Sequence, residues 1–137
     1  MRMLRTCLAA GLVAGVAAAA QCAPDLAHGA QVYVRCMACH ATAYDRVGPR
    51  HCGLIGRRAG SVPGFAYSAA MKKSQIVWDE KTLDVFLAHP LKIVPGTTMT
   101  YDGVPDQKDR ADLVGYLKRL DDTAECRNLR LTAPASR

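Results

Sequence analysis

No stretch of this 137-residue chain alternates apolar and polar residues in the way a β-strand requires, and no segment repeats. The missing alternation excludes βαβ architectures and leaves an all-α reading. Long apolar runs are missing as well. The one continuous apolar run, residues 8–20, is short and rich in alanine rather than leucine, which argues against a membrane span. A strong charge excess is also lacking. Eighteen Lys and Arg stand against twelve Asp and Glu, a formal +6 at pH 7, which is too little to indicate a nucleic-acid binder. At this length the chain is one small domain with a modest peptide core.

The apolar run has the form of a secretory leader. Arg2 and Arg5 precede it, and Ala18-Ala19-Ala20 offers a small-residue cleavage site before Gln21. Residues 1–20 are therefore expected to be a signal peptide. Loss of its two arginines lowers the formal charge to +4. Cys22 raises the alternative of a lipid anchor, but Gln21 is a poor fit to the small residue expected before a lipidated cysteine. Export places the chain outside the cytoplasmic membrane, in the periplasm, where disulfides persist.

Helical signals are local and clear. Asp25 is an N-cap for a first helix to about Arg35. Residues 44–64 are rich in Gly, Pro and Arg and read as loop. Ser68 caps a short helix, and Met71 beside Lys72 and Lys73 reads as surface. A further helix starts at Asp79, carries Leu83, Phe86 and Leu87 as its apolar stripe, and ends at His89-Pro90. Residues 93–101 are loop. The last helix opens at Pro105-Asp106 and runs to about Leu120. Gly115 within it is a poor helix former, which a close crossing with the first helix at Gly29 would explain. Residues 127–137 show no apolar stripe and read as a flexible tail, so the domain proper spans residues 21–126.

The chemistry gathers at Cys36-Met37-Ala38-Cys39-His40. A C-x-x-C pair alone also suits a thioredoxin-type redox site or half a zinc site. The first needs a βαβ context, which is missing. The second needs another close Cys or His pair, for which His51-Cys52 is the one nearby candidate. C-x-x-C-H is the attachment signal of a c-type haem. Two thiols a helical turn apart can add to the two vinyl groups of a porphyrin edge, and the following histidine can reach the iron. A second axial ligand must come from downstream. Met99 sits in the Pro-Gly loop Pro95-Gly96-Thr97-Thr98-Met99, which could carry its thioether to the open face; His28, His51 and His89 are competitors.

These motifs, together with Val47-Gly48-Pro49, Gly53-Leu54-Ile55-Gly56-Arg57, Gly64-Phe65-Ala66-Tyr67-Ser68, Trp78 and Arg110-Ala111-Asp112-Leu113, resemble the class I c-type cytochromes of the soluble bacterial and mitochondrial group, from Asp25 to about Leu120. The resemblance implies a cytochrome c fold, in which several short helices and loops wrap one covalent haem c and the first and last helices cross. It implies Cys36 and Cys39 as attachment residues, His40 and Met99 as iron ligands, and the Pro49 carbonyl as hydrogen-bond partner of His40. It implies that Arg57, Tyr67 and Trp78 face the haem propionates, and that Tyr33 and Tyr116 pack at the helix crossing. Two positions depart from the pattern. His51 stands where the family has an apolar residue beside the proximal histidine, and Phe86 replaces a tyrosine whose hydroxyl approaches the methionine sulfur.

Cys22, Cys52 and Cys126 remain once the haem pair and Cys7 of the leader are set aside. A Cys52–Cys126 disulfide is expected, with Cys22–Cys126 and Cys22–Cys52 as alternatives. The functional expectation is an exported, monomeric, one-electron carrier between redox proteins, with no enzymatic activity of its own. Lys72, Lys73 and Lys92 are available to steer acidic partners. The alternatives are a haem c subunit of a periplasmic oxidoreductase complex and a ligand-binding or peroxidase-like haem protein.

Overall fold

The computed structural model describes residues 23–132. The expected leader, Cys22 and the last five residues of the expected tail lie outside this range. Among the described residues six helices follow one another: α1 (Leu26–Tyr33), α2 (Ala69–Lys73), α3 (Glu80–Ala88), α4 (Pro90–Ile93), α5 (Gln107–Leu120) and α6 (Ala124–Thr132). A 3-10 turn over Val34–Cys36 extends α1 towards the attachment motif. Among the described residues there is no strand, only an isolated bridge between Arg58 and Val77.

Side chains set most helix starts. Asp25 accepts from the backbone N–H groups of Ala27 and His28, and Ser68 accepts from Met71. Asp79 and Thr82 form a reciprocal capping box at α3, and Asp106 accepts from Asp109 at α5. Pro90 occupies the first turn of α4, where its missing N–H costs nothing. The helix boundary at His89-Pro90 is thus the start of another turn of helix as well as the end of α3.

The two main helices, α1 and α5, cross closely. A Cβ on Gly29 would overlap the backbone carbonyl of Asp112, so only glycine admits this approach. Gly115 has a different partner from the one its sequence suggests. It faces Pro24 and Leu26 at the entrance to α1, and Gly29 meets Asp112 and Tyr116. Tyr33 and Tyr116 pack at the crossing with ring centroids 5.2 Å apart and planes tilted by 49°. Leu113 is fully buried, and Val32, Leu117 and Leu120 are nearly so.

Two expectations change beyond Leu120. α5 is not the last helix, and residues 127–132 of the expected tail are helical. The cause is a long-range tie. Cys126, on α6, is fully buried and joined to Cys52, 74 residues earlier, with the Cα atoms 5.1 Å apart. Leu129 packs against the core one helical turn beyond Cys126.

Candidate functional site

The loops between the helices enclose a cavity of about 350 Å³. Cys36, Cys39 and His40 form one side with Gly48 and Pro49; Arg57, Tyr67 and Trp78 line it, and Met99 reaches it from the loop after α4. Leu54, Met71, Leu83, Phe86, Leu87 and Leu117 supply an apolar lining. Every residue expected at the site thus borders one space.

Backbone turns hold the attachment motif. The N–H groups of Cys39 and His40 both donate to the Cys36 carbonyl, at 3.1 and 2.9 Å. Gly48 donates to the Cys39 carbonyl at 2.8 Å, bringing the Val47-Gly48-Pro49 loop beneath the motif. Gly48 is required there, because a Cβ would overlap the His40 ring. His40 Nδ1 lies 2.7 Å from the Pro49 carbonyl. A carbonyl only accepts, so the proton sits on Nδ1 and the Nε2 lone pair is left free to bind a metal. Burial pushes the His40 pKa below the ordinary imidazole value; the Pro49 bond opposes this and the Arg57 charge adds to it. The imidazole is therefore neutral at neutral pH, as a ligand must be.

Both thiols are unpaired. Burial pushes Cys36 up to about 11, so this thiol stays protonated and is a poor spontaneous nucleophile. Met99 is fixed through its neighbours. Thr97 is buried, donates its N–H to the Val94 carbonyl at 3.0 Å, and its hydroxyl accepts from Met99 N–H at 3.2 Å. Gly96, at a φ of 87°, makes the turn that only glycine takes readily.

Arg57 anchors the propionate side of the expected site. Its Nη1 donates to the Cys52 carbonyl at 3.1 Å and its Nη2 to the Arg50 carbonyl at 2.9 Å. Trp78 is buried against Phe86, with ring centroids 5.0 Å apart, and Phe65 packs edge-on to Tyr67 at 4.7 Å. Burial raises the Tyr67 pKa, which keeps its hydroxyl protonated and able to donate.

The competing ligands separate clearly. His28 is bound to Asp112 on α5 at 2.8 Å, and His89 is exposed between α3 and α4. Met71 corrects its sequence reading: it is buried and borders the cavity, with Lys72 and Lys73 turned to solvent. On a one-turn helix the charged neighbours hide an inward apolar position. His51 turns inward as well. It is buried, and its ring stacks on His40 with centroids 4.4 Å apart and planes 19° from parallel. Burial, with the His40 and Arg57 charges, pushes its pKa down to about 3.

The donor set fits a covalently held haem: two free thiols a turn apart, a neutral histidine with its Nε2 lone pair available, a thioether and an apolar cavity bordered by an arginine. It does not suit zinc, since no group of three or more His, Cys, Asp and Glu is arranged to hold an ion among the described residues.

No protein-family model matches the chain. Individual relatives do. Cytochrome c2 of Rhodomicrobium vannielii is 46% identical over 103 residues, covering 73% of this chain and 82% of that protein. Cytochrome c2 of Blastochloris viridis is 42% identical over 112 residues, covering 80% and 87%. The solved structure of cytochrome cH from Methylobacterium extorquens is similar at a TM-score of 0.67 and 42% identity, over 69% of this chain and 97% of that one. Identity at this level across most of each relative, on a shared helical fold built round the attachment motif, makes the chain a member of the class I c-type cytochromes, a monohaem electron carrier with one covalent haem c.

Proposed function

We propose that the chain works in the periplasm as a freely diffusing one-electron carrier, with Cys36 and Cys39 holding the haem edge as thioethers and with His40 and Met99 as the two axial ligands. One observation carries the ligand assignment. His40, with its proton directed to Pro49, and Met99, braced by Thr97, border the same cavity. The haem supplies an iron that takes and gives single electrons.

The protein residues set the conditions for that exchange. Pro49 fixes the tautomer and orientation of His40. Thr97 and Gly96 hold the Met99 loop in place, so that Met99 and His40 would hold a bound haem iron between them and leave substrates no open site. Met–His ligation favours the reduced state. The apolar wall of Leu54, Met71, Leu83, Phe86 and Leu87 excludes water, which limits rearrangement when charge changes. Arg57, Tyr67 and Trp78 offset the cost of burying propionate carboxylates. Lys72, Lys73 and Lys92 are exposed and suit an acidic partner surface. The leader expected over residues 1–20 supports export, and a Cys52–Cys126 disulfide suits the oxidising compartment it leads to.

Met99→Ala tests the reading. It should open the sixth position, allow carbon monoxide to bind the reduced form, and lower the reduction potential. Unchanged spectra and potential would assign the ligand elsewhere.

A further inference from the structure

His51 is a buried polar residue that the carrier reading does not use. Its ring lies nearly parallel to His40, with centroids 4.4 Å and planes 19° apart. Its Nδ1 is 2.9 Å from the Tyr33 hydroxyl, and Tyr33 is itself buried at the α1–α5 crossing against Tyr116. The His51 backbone is pinned too. Its N–H donates to the Ala41 and Thr42 carbonyls at 3.2 and 3.1 Å, and the next residue is joined to Cys126. A ring held at both its backbone and its edge has little freedom to rotate.

We propose that His51 is a positioning residue for the axial ligand, fixing the plane in which the His40 imidazole meets the iron. Three contacts act on that imidazole together. Pro49 holds its edge, the Gly48 backbone passes so close that a Cβ there would overlap the ring, and His51 stacks on its face. A hydrogen bond to Pro49 alone leaves the ring free to swing about the Nδ1–O direction, and a flat neighbour removes that freedom. An aliphatic side chain would fill the volume without imposing a plane. The consequence is electronic. The plane of a coordinated imidazole selects which iron dπ orbital holds the unpaired ferric electron, and with it the porphyrin edge where spin density is greatest. Tyr33 thereby links the helix crossing to the orientation of the redox orbital.

The inference rests on the haem reading, and its test separates the two. Proton NMR of the ferric holoprotein with cyanide bound reports the His40 plane, because cyanide replaces Met99 and leaves His40 as the one protein ligand. The order and spread of the haem-methyl shifts are then compared in wild type, His51→Leu, His51→Phe and Tyr33→Phe. His51→Leu keeps the volume and removes the flat ring. It should change the order or compress the spread. His51→Phe keeps the stacked ring and should retain the wild-type pattern, and Tyr33→Phe should move it less than His51→Leu does. A wild-type pattern in His51→Leu, whatever its melting temperature, would reduce His51 to packing and overturn the proposal. So would a His51→Phe pattern as altered as that of His51→Leu. Wild-type protein without covalent haem would instead sink the haem reading itself.

Discussion

Asp112 ties the start of α1 to the middle of α5. Its buried carboxylate accepts from Asp25 N–H at 2.9 Å, from His28 Nδ1 at 2.8 Å and from Lys108 Nζ at 2.5 Å. The Lys108 bond, against the cost of burial and with help from His28 and Asp25, holds its pKa down at about 2 against an ordinary 3.8. A depressed carboxylate pKa contributes stability that is complete above the ordinary value and is lost as pH falls through the folded one. Asp112→Asn should therefore be less stable than wild type at pH 7, and the gap should close between pH 3.8 and about 2. Thermal unfolding across that range checks it; a gap constant with pH would place the effect in packing. The sequence announces Asp25 as a cap because capping is local, whereas Asp112 gathers partners 84 and 87 residues away and carries no such signal. The inward direction of His51 and of Met71 is hidden for a related reason. Each is a polar or charge-flanked position whose inward direction is decided by tertiary packing. The residues from Cys36 to Met99 that border the cavity stand out in the sequence because covalent attachment and iron ligation would demand particular side chains at particular spacings.

At the scale of elements, the α1–α5 crossing depends on Gly29. Its would-be Cβ meets backbone, which cannot rotate away as a side chain can. Gly29→Ala should destabilise by about 3 kcal/mol through forced separation of the helices, read as a lowered denaturant midpoint. A change below about 0.5 kcal/mol, the ordinary range for neutral surface substitutions, would mean that the crossing is looser than described. The caps of α1, α2, α3 and α5 could be placed from sequence, since each is a short-range side-chain bond. α4 and α6 could not. α4 is a single turn begun by the proline that ends α3, and α6 depends on a bond spanning 74 residues. Replacing both Cys52 and Cys126 by alanine should cost about 4 kcal/mol on the loop-closure model. Hydrogen exchange should rise first in α6 and in the loop carrying His51. Equal protection in both regions would show that packing of Leu129 and its neighbours alone holds α6.

The whole molecule is a set of short helices whose connecting loops do the enclosing. Residues 44–64 and 93–101, which carry motifs but no apolar periodicity, bring Pro49, Arg57 and Met99 to one cavity. The helical fold was legible from caps, stripes and the attachment motif. The cavity itself was not, because its walls come from loops with no periodicity. A haem there joins parts of the chain that would otherwise touch little, so its loss should melt the cavity walls before the α1–α5 pair. With His40 and Met99 both holding the iron, the protein would be a closed electron carrier. That reading is tested most directly by absorption spectra of the oxidised and reduced holoprotein, followed by carbon monoxide on the reduced form. A closed site should give low-spin spectra, the weak red band of a thioether on ferric iron, and no carbon monoxide adduct. Ready formation of the adduct by the wild-type protein would contradict it and place an open or labile site at the iron.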